Sequence, residues 1–195
     1  TDGRQPAPMP TPADRKRPAA GTGAIPPQDL LPAVPLTTSR PELLVDGTDR
    51  MFRKLVHDFL AFTARHEALR NGHARRIGLA GIDYTILISL AHLSRAGSVN
   101  VKTLSDHLHV STGFVTNVTR KLQDLGLIEK RRDLADRRKT DLTVTAKGLA
   151  RLERLAPYQR RVNDAEFGAL SRDQFLQLCT IVEALVATSD RALDL

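Results

Sequence analysis

Two groups of side chains near the middle of the chain have the types and spacing to work on a polyanion. Ser111, Thr112, Gly113, Thr116, Asn117, Arg120 and Lys121 are small or hydrogen-bonding, and they share a stretch with Val115, Val118 and Leu122, which recur at three- and four-residue spacing. A helix divided in this way packs its aliphatic stripe inward. Its other face carries amides, hydroxyls and cations, with small residues near the start that let the backbone approach a duplex groove. Phe114 does not fit that division: it either meets thymine methyl groups or packs beneath the hairpin that follows. The second group is Lys130, Arg131, Arg132, Arg137, Arg138 and Lys139, opposed only by Asp133 and Asp136. A hairpin this basic suits phosphate and a minor groove, the bland alternative being a solvated surface loop.

The elements that position these groups lie within residues 98–148. A short helix over residues 101–108 turns Val101, Leu104 and Leu108 inward, and His109-Val110-Ser111 makes a turn in which Ser111 caps the next helix, running to residue 125. Gly126 stops that helix. Residues 127–132 and 140–144 then read as two strands, with residues 133–136 as the tip and Leu142 and Val144 alternating inward. This order is that of a winged helix-turn-helix, a module that binds duplex DNA.

The flanks are helical. Residues 48–70 place Phe52, Leu55, Val56, Phe59 and Phe62 on one stripe, with Asp46 or Thr48 as the cap and Asn71-Gly72 as the end. A basic link over residues 75–79 leads to a helix at residues 82–93 that is apolar nearly all round, so it must be covered on most sides, and Gly97 stops it. Thr145 caps a helix from residue 146 to 167 with Leu149, Leu152, Leu155 and Val162 as its apolar positions, and Pro157 should kink or split it. Ser171-Arg172-Asp173-Gln174 is a capping box for a last helix with the stripe Phe175, Leu178, Cys179, Val182, Leu185 and Val186. The expected fold is mainly α with a small β-hairpin wing, one domain over residues 42–195. Residues 48–70 and 146–190 are dimerisation helices, because a two-fold dimer sets two recognition helices about one DNA turn apart. Residues 1–41 hold ten of the eleven prolines and are expected to be a disordered tail, in which Arg15, Lys16 and Arg17 are either a weak hold on phosphate or simply solvated.

Composition narrows the classes. The chain of 195 residues carries a net charge of +7, which favours nucleic acid as a partner without deciding it. A single cysteine, Cys179, rules out an intrachain disulfide or a cysteine metal cluster, and its place on an apolar stripe points to a buried structural thiol. The six histidines are scattered, so no metal site and no cofactor is expected. No glycine-rich phosphate loop, nucleophile elbow or paired catalytic carboxylates occur, so an enzyme is not expected. With no stretch of membrane-spanning length, the expected place is the cytoplasm.

The segment Asp136-Arg137-Arg138-Lys139-Thr140-Asp141-Leu142-Thr143-Val144-Thr145, followed by Lys147-Gly148, resembles the wing signature of the MarR family of bacterial transcriptional regulators. The likeness extends upstream through Leu104, Leu108, Val115, Leu122, Gly126 and Leu127 and covers about residues 48–190. It implies an obligate homodimer that binds a palindromic operator on double-stranded DNA and usually represses. By that resemblance Thr112, Gly113, Thr116 and Asn117 take recognition-helix positions and Arg137 enters the minor groove. Asp136 and Arg138 hold the wing by ion pairing, and Arg138 is also kept among the DNA-contacting residues. Leu134-Ala135 replaces the usual proline-containing tip, and the proline-rich leader is longer than the family normally carries.

The same resemblance implies a small aromatic or phenolic acid effector. His57, His66 and Tyr84 fall on the helices similar to its pocket walls, although each can equally be structural. Arg65, Arg75 and Arg76 either neutralise a carboxylate or sit at the surface. The function expected is a ligand-released repressor. The alternative is an effector-independent winged-helix activator or architectural DNA-binding protein; a winged helix that serves protein interaction alone would lack the wing cations.

Overall fold

The computed structural model describes residues 35–132 and 140–195. Residues up to Arg53 and residues from Lys54 onward form two compact units. In the first, a 3-10 turn at Pro41–Leu43 is followed by a reversal bridging Val45 and Thr48, with Asp46 and Gly47 at positive φ. The buried Asp49 carboxylate accepts from the Thr37 backbone N–H and hydroxyl, both at 2.7 Å, and from Arg53 Nε at 2.9 Å. Arg53 and then Thr37 therefore hold its carboxyl well below the usual carboxylate range. Two expectations change here. Of the leader, residues 1–34 lie outside the described residues, while Thr37 is fastened rather than loose. The residue entering the first helix is neither Asp46 nor Thr48, since Asp49 supplies the carbonyl for the Arg53 N–H at 2.9 Å.

Helix α1, Arg50–Arg76, runs through the Asn71-Gly72 pair expected to end it. A mid-helix glycine costs about 1 kcal/mol relative to alanine. Burial of His73 and Ala74 in the following turn outweighs that cost. The stop comes at Gly78, which takes a φ of 68° while the Leu79 N–H reaches back to the Ala74 carbonyl at 2.9 Å. The expected basic link over residues 75–79 is thus shortened to 77–79, and Arg75 and Arg76 belong to α1.

The chain then bends by 89° into α2, Gly81–Leu93, which is buried over most of its circumference as its composition required. The helix-turn-helix follows as α3, Val101–Leu108, and α4, Thr112–Asp124. Strands β1, Ile128–Arg132, and β2, Thr140–Val144, pair antiparallel with Ile128 opposite Val144 and Arg132 opposite Thr140. The core joins these elements through Ile86, Leu87, Leu90, Leu104, Leu122 and Leu142, with Leu155 from the next helix.

That helix, α5, Ala146–Phe167, passes Pro157 unbroken. Pro157 has no N–H to offer the Glu153 carbonyl, and both residues lie on the exposed side of the helix. Leu149, expected inward, is exposed, while Leu155 is fully buried. The last helix, α6, Arg172–Leu193, has the expected Ser171–Gln174 capping box but buries none of its residues. Cys179 is exposed, contrary to the buried thiol expected, because its stripe has nothing to pack on within one chain. The same holds along α1, where Leu55, Val56, Phe59 and Phe62 are exposed. No single helix among the described residues is long and apolar enough to cross a membrane.

Candidate nucleic-acid interface

Local capping fixes the two helices of the reading head. Asn100 Oδ1 accepts from the Thr103 N–H at 3.0 Å and Thr103 Oγ1 accepts from the Asn100 N–H at 3.4 Å, a reciprocal box that starts α3. His109 ends it in the left-handed region at φ 52°, and the Val110 N–H returns to the Ser105 carbonyl at 3.1 Å. Ser111 then accepts from the Phe114 N–H at 3.2 Å, as expected of the cap of α4. The far end closes with Gly126 at φ 68°. There the Leu127 N–H bonds Leu122 O at 2.9 Å and the Gly126 N–H bonds Gln123 O at 2.8 Å, a paired closure that needs a left-handed residue in between.

The base of the wing is tied to this helix end. Thr145 Oγ1 donates to Gly126 O at 2.7 Å while accepting from the Gly148 N–H at 3.1 Å, and Lys147 Nζ donates to Leu125 O at 2.8 Å. A Cβ on Gly148 would lie 2.3 Å from the Leu127 carbonyl oxygen, so the approach of α5 to the strand admits only glycine there. On the other edge the Leu142 N–H donates to Val99 O at 2.7 Å. The hairpin is therefore held on both sides at its root.

Val115, Val118, Thr119 and Leu122 are buried, which turns Thr112, Gly113, Asn117 and Arg120 outward, with Thr116 half-buried beside them. The Thr116 hydroxyl donates to Thr112 O at 2.8 Å, leaving its lone pairs for a partner. Phe114 is 41% exposed and does not pack under any described residue to the point of burial. Lys121 behaves differently from its neighbours. Its Nζ lies 2.5 Å from Oδ2 of Asp83, an ion pair whose angles fall outside those of a hydrogen bond, and the Asp83 side chain is 3% exposed against 56% for Lys121. Arg131 is likewise matched, at 2.6 Å, by Glu129 across one residue of β1. Arg137 and Arg138 lie outside the described residues.

The residues expected to contact an effector are not brought together. His57 is exposed and lines none of the cavities found. His66 stacks on Phe62 at 5.8 Å, with Nδ1 3.1 Å from Glu166 Oε2. Tyr84 is 2% exposed, and its hydroxyl accepts from Gln159 Nε2 at 3.2 Å. Burial raises the Tyr84 phenol above its ordinary value, and burial also lowers the His73 imidazole, which meets the edges of Tyr84 and Tyr158 at 6.0 and 5.8 Å.

Sequence reasoning named Arg65 and Arg76 but missed Tyr158, Arg151, Arg154 and Arg161 beside them. A groove of about 790 Å³ between α1 and α5 is lined by Phe62, Arg65, Leu69, Tyr158, Arg161 and Val162. A second cavity, of about 400 Å³, lies at the end of α1 and carries Arg76, Arg151 and Arg154. The available signal was Tyr158 itself, one of two tyrosines in the chain, one turn beyond Leu155 and so on the inward side of α5. Among the described residues no group of three His, Cys, Asp or Glu is placed to hold a metal.

A capped helix-turn-helix whose second helix shows a polar face, rooted to a basic two-stranded hairpin, defines a winged-helix DNA-binding protein. Residues 86–140 match the model of the MarR family. The HTH-type transcriptional repressor MdtR of Bacillus subtilis is 24% identical over 56% of this chain and 71% of its own length. Among solved structures, a MarR-family regulator from Silicibacter pomeroyi superposes with a TM-score of 0.59 at 20% identity, covering 77% of this chain and 96% of that one. BpsR of Bordetella bronchiseptica, described in a study of how 6-hydroxynicotinic acid regulates its DNA binding, superposes at 0.53 with 21% identity over 66% and 90%. Over residues 86–140 the chain is thus similar to the MarR family, and the two curated relatives it resembles are HTH-type transcriptional regulators.

Proposed function

We propose that this regulator works as a homodimeric repressor that reads a palindromic operator and leaves it when a small aromatic acid binds. The observation that carries the reading is α4, whose exposed Thr112, Gly113, Asn117 and Arg120 stand on a helix fastened at both ends. Thr116 joins them, Ser111 spends its side chain on the cap while presenting the helix N-terminus to phosphate, and Lys121 serves to hold α4 against α2. Arg137 reaches the minor groove and Arg138 steadies the wing and meets the backbone. Dimerisation is supported by the open apolar stripes of α1 and α6, within a folded region spanning residues 42–195.

The effector site we favour is the groove between α1 and α5. Phe62, Leu69, Tyr158 and Val162 offer an apolar slot for a ring, and Arg65 and Arg161 offer a guanidinium to a carboxylate. His66 stands beside this groove through its contacts with Phe62 and Glu166, whereas His57 and the buried Tyr84 have no part in it. The similarity to BpsR supports an aromatic acid as the class.

Two measurements test this. Arg137→Ala is expected to weaken operator binding by at least about tenfold with the dimer intact, since a minor-groove arginine acts on DNA and not on the core. Unchanged affinity in a mobility-shift titration would refute the wing assignment. Titration of the protein–DNA complex with hydroxylated benzoic and nicotinic acids should release the protein, with Arg161→Gln blunting the response. No release by any of them would remove the effector and leave an effector-independent regulator.

A further inference from the structure

The cavity at the end of α1 has a different chemistry from the ring-sized groove. Arg76, Arg151 and Arg154 border it, with Ile77, Leu155 and Tyr158 as its apolar floor, and no carboxylate lines it. The arginines that find ion-pair partners among the described residues are Arg40, Arg53, Arg70 and Arg131, and these three are not among them. Three guanidinium groups around one void of about 400 Å³ make it a place that favours an anion.

Two of the three are already held in place. The Arg76 guanidinium lies 3.6 Å above the centre of the Tyr158 ring, and Arg151 Nη1 donates to the Ile77 carbonyl at 3.2 Å. Arg154 stands three residues beyond Arg151, on the same face of α5. Fixed donors of this kind lower the ordering cost of binding, and their planar forks suit the several oxygens of a phosphate better than a lone carboxylate.

We propose that this cavity is a binding site for a small phosphomonoester, with the three arginines taking the doubly charged phosphate and Ile77, Leu155 and Tyr158 facing the organic part. The site is separate from the aromatic-acid groove and does not depend on it, although Tyr158 belongs to both walls. It also spans the junction of α1 with α5, so occupancy would tie the last turn of one to the second and third turns of the other.

The test is calorimetric titration of the DNA-free full chain at constant ionic strength, with inorganic phosphate, glucose 6-phosphate and glucose as probes. Glucose 6-phosphate and phosphate should bind saturably at one site per chain, and glucose should not. Arg154→Gln, at an exposed position that leaves the core untouched, and Arg151→Gln should each weaken binding by about tenfold or more. No saturable binding, equal binding of glucose, or undiminished binding in the doubly substituted protein would overturn the proposal. A second arm separates small phosphates from the DNA backbone: the salt dependence of operator binding should be the same in both variants. A fall in that slope of about one per substitution would assign these arginines to DNA phosphates and overturn it as well.

Discussion

Removing either partner of the Lys121–Asp83 pair should have unequal consequences. Asp83 sits in the first turn of α2 with its carboxylate 3% exposed, and Lys121 of α4 is the cation beside it. Lys121→Ala strands a charge in the interior. Breaking a buried pair in this manner costs about 3–5 kcal/mol, but Lys121 is more than half exposed, so water enters the space it leaves and the expected loss is about 2 kcal/mol. Asp83→Asn leaves a neutral amide and a lysine free to swing into solvent, for a loss of about 1 kcal/mol or less. Urea unfolding followed by far-UV circular dichroism reads the difference, which should exceed about 1 kcal/mol in favour of the Asn variant. Equal losses would refute the reasoning. A DNA readout sharpens it: Lys121→Ala should lower operator affinity by disturbing the seating of α4 while keeping the salt slope. A slope reduced by about one would make Lys121 a phosphate contact instead.

Gly148→Ala should destabilise the fold by about 2 kcal/mol, because its Cβ meets the Leu127 carbonyl oxygen at 2.3 Å and Val144 Cγ1 at 2.7 Å with no flexible chain end to yield; a denaturation midpoint equal to that of the parent would contradict this. His73 gives a pH dependence. Burial holds its imidazole below the ordinary 6.5, so on acidification the unfolded chain takes up this proton first, and stability present above that value is lost as pH falls toward the lowered native one. The urea midpoint should drop as the pH is lowered through the ordinary histidine range, and His73→Phe should flatten that drop. Thr116→Ala and Asn117→Ala should change which bases are preferred more than total affinity, as read from competition among single-base operator variants.

What could be read from the sequence was what is decided locally. The bounds of α3 and β2 and the caps at Ser111, Thr145 and Ser171 follow from residues within four positions of one another, and the structure has them as expected. The end of α1 was not legible at Asn71-Gly72, because burial of His73 and Ala74 by distant elements overrides a weak local preference. Lys121 looked like its polar neighbours, since nothing within α4 signals a carboxylate in α2. The cavities escaped notice for the same reason: Arg76 and Arg154 meet only once α1 and α5 are folded together. Cys179 was misjudged in the opposite way, from a stripe that a single chain leaves open.

Selection of bound sequences from a random duplex pool, followed by footprinting of the winners, tests most directly whether two copies of the chain read duplex DNA as a pair. An inverted repeat should emerge, with half-site centres about one helical turn apart and one dimer protecting both. Enrichment of a single asymmetric half-site bound by one chain, or of no sequence at all, would contradict paired reading.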